Sequence, residues 1–193
     1  MTTCVFPDNT VLINFDLVSR HDIIEWFTQG QAVWTASVHS ECSRSAERVG
    51  LNGMHRWSFL FGEPLRPTPA ELGDSHTIAE QMRKPGDSCT FRKNLGEAET
   101  IAIIESRYRN AAIFLTDDGD ARAQARGRGI PVYTTAHILA LYEVKGRITH
   151  GQAREYLALM RNHHQGIGMD ARDYDAFVET LANRYAESRR QNS

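Results

Sequence analysis

Cysteine is scarce and unpaired in this chain. Cys4, Cys42 and Cys89 lie far apart with no CxxC spacing, which excludes a disulfide framework and argues against a zinc site. Long apolar runs are also missing: none approaches the ~20 residues that span a bilayer. Residues 1–8 lack a basic segment followed by an apolar one, so no secretory signal is read. The expectation is a cytoplasmic protein with buried thiols and no membrane partner. An excess of positive charge is absent too, since the formal net charge is −2. That balance at first argues against nucleic acid, but an acidic cluster gathered in one place would mask a basic surface elsewhere.

What is present fits one soluble domain. The 193 residues are 41% hydrophobic and 24% charged, enough for a single core. Residues 4–6 form a short buried-strand candidate ended by Pro7 and Asp8. Residues 10–18 suit a first helix. Ile23, Ile24 and Phe27 share the face of a second helix, which Ser19 caps and Gly30 stops. Residues 32–36 suit a strand, and Ser37 is a natural N-cap for a helix carrying Glu41. Residues 46–94 read as an irregular, partly helical elaboration or dimer surface. That segment holds Trp57, Phe59, Phe61, Pro64, Pro67 and Pro69, with a helix expected over 75–83.

Regularity returns with a helix over 95–109, a clean strand at 112–116, a helix over 121–128 ended by Gly129, and a strand at 130–134. After 137–145 come two periodic helices within 150–187. Ala153, Tyr156, Leu157 and Met160 mark the first; Tyr174, Phe177, Val178 and Leu181 mark the second. The boundaries are one domain over 1–187 and a frayed tail at 188–193. The adjacent pair His163-His164 reads as solvated surface. Alternating strands and helices imply an α/β fold with a mostly parallel sheet, whose functional residues lie beyond the carboxyl ends of strands.

Four acidic stations fall at that edge or at helix starts packed against it. They are Asp8, Glu41, Glu97 with Glu99, and Asp117, Asp118 and Asp120. Each alone has a bland explanation, because a carboxylate near a helix N-terminus gains ~0.3–1 kcal/mol. Together they repel one another unless a cation sits between them. Hard divalent ions such as Mg²⁺ or Mn²⁺ prefer oxygen ligands, which points to metal-dependent phosphodiester chemistry. The basic residues are mostly arginines, among them Arg44, Arg48, Arg107, Arg109, Arg122, Arg126 and Arg128. Arginine matches phosphate bidentately.

The order Asp8-Asn9-Thr10, then Ser37-Val38-x-x-Glu41, then Leu95-Gly96-Glu97-Ala98-Glu99, then Thr116-Asp117-Asp118-x-Asp120-Ala121-Arg122 resembles the PIN domain. The likeness is strongest to prokaryotic PIN proteins related to VapC-like toxins, and continues through Gly129-Ile130-Pro131-Val132 and the two terminal helices. It implies a three-layer α/β/α fold and a Mg²⁺- or Mn²⁺-dependent endoribonuclease acting on single-stranded RNA. By the same resemblance Asp8 binds metal with Thr10 in support, and Glu41 is the second acid. Glu99 fits the third motif better than Glu97, which then opens the helix. Asp118 fits the fourth, with Asp117 and Asp120 as neighbours sharing the duty and Thr116 in support. Arg122 and Arg126, by their place on the helix after the acidic turn rather than by the resemblance, are the candidate phosphate contacts. A toxin role would add a small antitoxin as partner. Asn9 and the long middle segment depart from the compact members. An inactive PIN-like scaffold and a housekeeping nuclease are the competing readings. An aspartyl phosphatase usually wants an aspartate where Thr10 stands, and a receiver domain needs a lysine after a late strand, where Thr134-Thr135 offers none.

Overall fold

Strand β1 (Cys4–Pro7) alternates its side chains across a three-stranded parallel sheet of order β1-β2-β3. It pairs along its length with β2 (Ala112–Leu115), setting Val5 beside Ile113 and Phe6 beside Phe114. β2 in turn pairs with β3 (Val132–Tyr133). The structure is a computed structural model and describes residues 3–83, 94–163, 166–169 and 171–191.

The period of two in the strands sorts the core into two layers. Val5 and Leu115 point to one face. There they join Leu12 and Phe15 of α1 (Asn9–Leu17), Ile23 and Ile24 of α2 (His21–Thr28), and Ile138 and Leu139 of α8 (Thr135–Val144). Leu157 of α9 (His150–Asn162) and Tyr174 of α10 (Ala171–Gln191) close that layer. Phe6 and Phe114 point the other way. They meet Ile78 of α5 (Pro69–Gln81), Ile101 and Ile104 of α6 (Leu95–Arg107), and Ala121 and Ala125 of α7 (Gly119–Gly127). The architecture is therefore the expected three-layer α/β/α arrangement. α3 (Ala36–Ser45) buries Val38 and Cys42 against Trp34, and α4 (Arg56–Phe61) buries Trp57 in the first layer.

Several boundaries differ from those read in the sequence, for local reasons. Residues 32–36 form no strand; they make only single parallel bridges, Ala32 to Val5 and Thr35 to Leu65. The chain leaves the sheet edge between them, with Trp34 buried and its indole N–H donated to the Gly62 carbonyl at 2.9 Å. Thr35, not Ser37, caps α3, its hydroxyl accepting from the Val38 N–H. α5 starts six residues before the expected Ser75, because Thr68 and Glu71 form a reciprocal capping box around Pro69. α7 starts at Gly119 because Asp118 caps it. Arg20 rather than Ser19 precedes α2, and α10 continues past Glu187 to Gln191. Cys42 is buried and Cys4 half-buried, both as free thiols. Cys89 and His164 lie outside the described residues.

Candidate active site

The carboxyl ends of the strands deliver the acids. The Asp8 N–H donates to the Leu115 carbonyl at 2.8 Å, so the backbone is still tied to the sheet where its side chain emerges. Asp8 then caps α1, with Oδ2 accepting from the Thr10 N–H at 3.3 Å. Its carboxylate is almost wholly buried, and Oδ1 has no hydrogen-bond partner. Burial pushes the Asp8 carboxyl up to about 6; hydrogen bonds from Thr10 and Asn9 pull against this, and the Asp118 charge adds to it.

Glu41 comes from the middle of α3. Burial pushes its carboxyl up to about 7, with the Asp8 and Glu99 charges adding and Arg44 opposing. The Gly96 backbone, in the first turn of α6, holds it by a hydrogen bond. A Cβ at Gly96 would stand 2.8 Å from Glu41 Oε1, inside contact distance. Here the bareness of glycine admits a neighbouring carboxylate.

The two glutamates of α6 face different neighbours, since residues two apart on a helix point nearly opposite ways. Glu97 is raised well above its ordinary value by burial and by the charges of Asp8, Glu41 and Asp118. Glu99 is buried and turned onto the start of α3. There its oxygens accept from the Ser37 N–H at 3.0 Å and the Ser37 hydroxyl at 2.8 Å. Glu97 thus looks into the acid group, whereas Glu99 anchors one helix to another.

The three aspartates after β2 also part company. Asp117 is buried and fully occupied, accepting from Asn14 Nδ2 at 3.0 Å, the Thr135 N–H at 2.9 Å and the Thr135 hydroxyl. Burial pushes its carboxyl up to about 7 despite those bonds. Asp118 caps α7 through the Ala121 N–H at 2.7 Å, and its own N–H donates to the buried Thr116 hydroxyl at 3.2 Å. Its charge is the one felt by both Asp8 and Glu97. Asp120 is half-buried in the first turn of α7. Arg122 donates to the Asp117 carbonyl at 3.0 Å and is half-buried, while Arg126 is exposed in the last turn.

Asp8, Glu41, Glu97 and Asp118 therefore form one mutually repelling group drawn from four parts of the chain. A sequence model described as a PIN domain matches residues 4–181. The chain belongs to the PIN domain family. No curated protein and no solved structure matches it. PIN domains are generally nucleases, and PIN nucleases typically use divalent metals and bind RNA. No helix among the described residues is long and apolar enough to cross a membrane.

The residues of the PIN site fit a hard cation by their chemistry. All four donors are carboxylates, one of them carries the unpartnered buried oxygen Asp8 Oδ1, and three have proton affinities raised by burial and mutual charge. Among the described residues, no three His, Cys, Asp or Glu side chains stand together as a ready metal cage. Mg²⁺ needs none, since it keeps several waters and is held through one or two carboxylates.

Proposed function

We propose that this PIN protein is a Mg²⁺- or Mn²⁺-dependent endoribonuclease that hydrolyses phosphodiester bonds of single-stranded RNA. The observation that carries the reading is Asp8 Oδ1, a buried carboxylate oxygen without a partner in the middle of three further acids. Buried polar atoms are normally hydrogen-bonded, so an oxygen kept bare beside like charges is an oxygen kept for a ligand.

Bound between these acids, a divalent cation supplies activated water and stabilises the charge on phosphate oxygens. The chain's own part is to hold the acids in place. The Thr10 N–H fixes Asp8 Oδ2 and leaves Oδ1 without a partner. The Gly96 backbone fixes Glu41. Ala121 and Thr116 fix Asp118 on both sides. Without a cation, protons taken up by Glu41 and then Asp8 relieve the repulsion as pH falls through about 7 to 6. In this assignment Asp8, Glu41, Glu97 and Asp118 surround the cation, one or two of them holding it directly and the others through its waters. Glu99 orients α3 through Ser37, and Asp117 ties β2 to α1 and α8 through Asn14 and Thr135. Asp120 lies at the rim.

The test is cleavage of a fluorescent single-stranded RNA by the purified chain with Mg²⁺, Mn²⁺ or EDTA. Cutting that needs the cation and disappears in Asp8→Asn supports the reading. Cutting that survives EDTA or Asp8→Asn contradicts it, and an inactive wild type with no cation binding leaves a PIN scaffold. A toxin role and its small antitoxin are a further step, tested by growth arrest on expression that depends on Asp8. Cleavage without arrest indicates a housekeeping RNA-processing nuclease. Sedimentation decides whether the chain is a homodimer.

A further inference from the structure

Several of the arginines have partners. Arg20 pairs with Asp22, Arg56 with Glu25, Arg107 with Glu71, Arg128 with Glu105 and Arg154 with Asp175. Arg122 is bonded to the Asp117 carbonyl. Arg44 and Arg48 on and just beyond α3 differ. Both are exposed, and among the described residues neither side chain makes an ion pair or hydrogen bond, although the charge of Arg44 is felt by Glu41. Arg44 lies in the last turn of α3 and Arg48 in the turn that follows it, and both line one stretch of surface with Glu41.

That surface is a groove. One stretch, about 360 Å³, is lined by Ser37, Ser40, Glu41 and Arg44 with Ala36 and Leu95. The next, about 380 Å³, is lined by Asn9, Glu41, Arg44, Ser45 and Arg48. Glu41 and Arg44 belong to both, so the two stretches run together past a member of the acid group. The floor is set by a side-chain bond, Asn9 Nδ2 to Ser45 Oγ at 3.2 Å, which fastens the residue after Asp8 to α3. The groove thus joins two guanidinium groups without a carboxylate hydrogen bond and the Ser40 hydroxyl at its sides to the Glu41 carboxylate. A polyanion lying in it would meet cations along its backbone and reach the acids only where a metal ion offsets their charge.

We infer that this α3 groove is the backbone track of the substrate strand, with Arg44 and Arg48 gripping RNA phosphates next to the bond presented to the acid mouth. The inference rests on the ribonuclease reading above and names where its substrate lies. Arg44 touches the phosphate nearer the acids, since it lines the same stretch as Glu41 and its charge already acts on that carboxylate. Arg48 holds the strand farther out. Neither side chain supports the core, so their removal leaves the fold intact.

The experiment measures binding of a fluorescent oligouridine at several salt concentrations, in an Asp8→Asn background so that the probe survives. Arg44→Ala and Arg48→Ala are compared with Arg109→Ala, an exposed control after α6 at the far end of β2. Each groove variant should weaken binding severalfold and flatten the log K against log salt slope by about 0.7, the share of one phosphate contact on a single strand. With Asp8 restored, KM for cleavage should rise while kcat stays close to wild type, and Arg44→Lys should recover part of the loss. Arg109→Ala should change nothing. If the wild type cleaves with Mg²⁺ but the groove variants keep its affinity and salt slope, the track is overturned and the nuclease stands. If the Asp8→Asn protein does not bind the oligouridine and the wild type does not cut it, both fall together.

Discussion

Two buried glutamate and aspartate environments in this molecule are opposites. Glu71, on the α5 side of the sheet, is as buried as Asp8, yet every demand of its carboxylate is met. It accepts from Arg107 Nε at 2.7 Å and from the Thr68 N–H at 2.7 Å. The Arg107 guanidinium beside it, helped by the Thr68 bond, holds its carboxyl down to about 2. Among the described residues, Asp8, Glu41 and Glu97 have no cation to pair with except the outlying Arg44, and burial with mutual repulsion drives them up. The contrast separates a carboxylate used to hold helices together from carboxylates that, under the proposed function, are assembled at the expense of stability for a cation.

Asp8→Asn should break this comparison most sharply. RNA cleavage should drop by about three orders of magnitude, the scale of removing a preorganised charge-stabilising group. Thermal unfolding should show the same protein more stable by about 1 kcal/mol, because a repulsion is gone. A variant that loses activity by unfolding would place Asp8 with the structural acids instead.

Gly96→Ala should have the next largest effect. Its new methyl group meets Glu41 at 2.8 Å, so the carboxylate must move. Mn²⁺ affinity and cleavage should fall about 10–100-fold, as for other residues that orient a metal ligand, with little change in melting temperature. An unchanged Mn²⁺ affinity would remove Glu41 from the group.

Arg107→Ala attacks the other region. It strands a buried carboxylate, but about a third of the arginine is open to solvent. The loss should therefore be about 2 kcal/mol, below the ~3–5 kcal/mol of a fully buried pair. Cleavage below the melting transition should be unaffected, and a loss of catalysis would couple the two regions.

The smallest effect is in the pH dependence of stability without divalent ions. The folded carboxyls of Asp8 and Glu41 lie above their ordinary values of 3.8 and 4.5. Their contribution is therefore present below those values and is lost as pH rises through about 6 to 7. Glu71 acts in the opposite sense: its contribution is present above its ordinary 4.5 and is lost as pH falls through about 2. The melting temperature should fall by a few degrees between about pH 5 and pH 8 and recover on adding Mg²⁺ or Mn²⁺. A curve that climbs over that range would reverse the assigned roles.

The sequence was most legible where chemistry and local geometry coincide. Asp8 and Asp118 follow short apolar strands directly, so their place at the sheet edge can be read from two runs of residues. The layering was legible for the same reason, since Val5 and Phe6, or Phe114 and Leu115, must face opposite sides. The choice between Glu97 and Glu99 was not, because both lie in the first turns of α6 and only the packing of α3 decides which faces the acids. Residues 32–36 look like a strand by composition, yet a strand needs a partner along its length, and Trp34 and Thr35 are engaged by Gly62 and Leu65. In the middle segment, Thr68-Pro69-Ala70-Glu71 carried the signature of a helix start. Gly96, inside an otherwise helical run, carried the signature of a close approach. Arg44 and Arg48 were visible only as two arginines among many, since their lack of partners is a property of the folded surface.

Calorimetric titration of the metal-free protein with Mn²⁺ tests the central claim most directly. The wild type should show saturable binding that is abolished in Asp8→Asn and unaffected in Arg107→Ala. Absence of binding in the wild type, or equal binding in Asp8→Asn, would contradict the assignment of the acid group as a cation site.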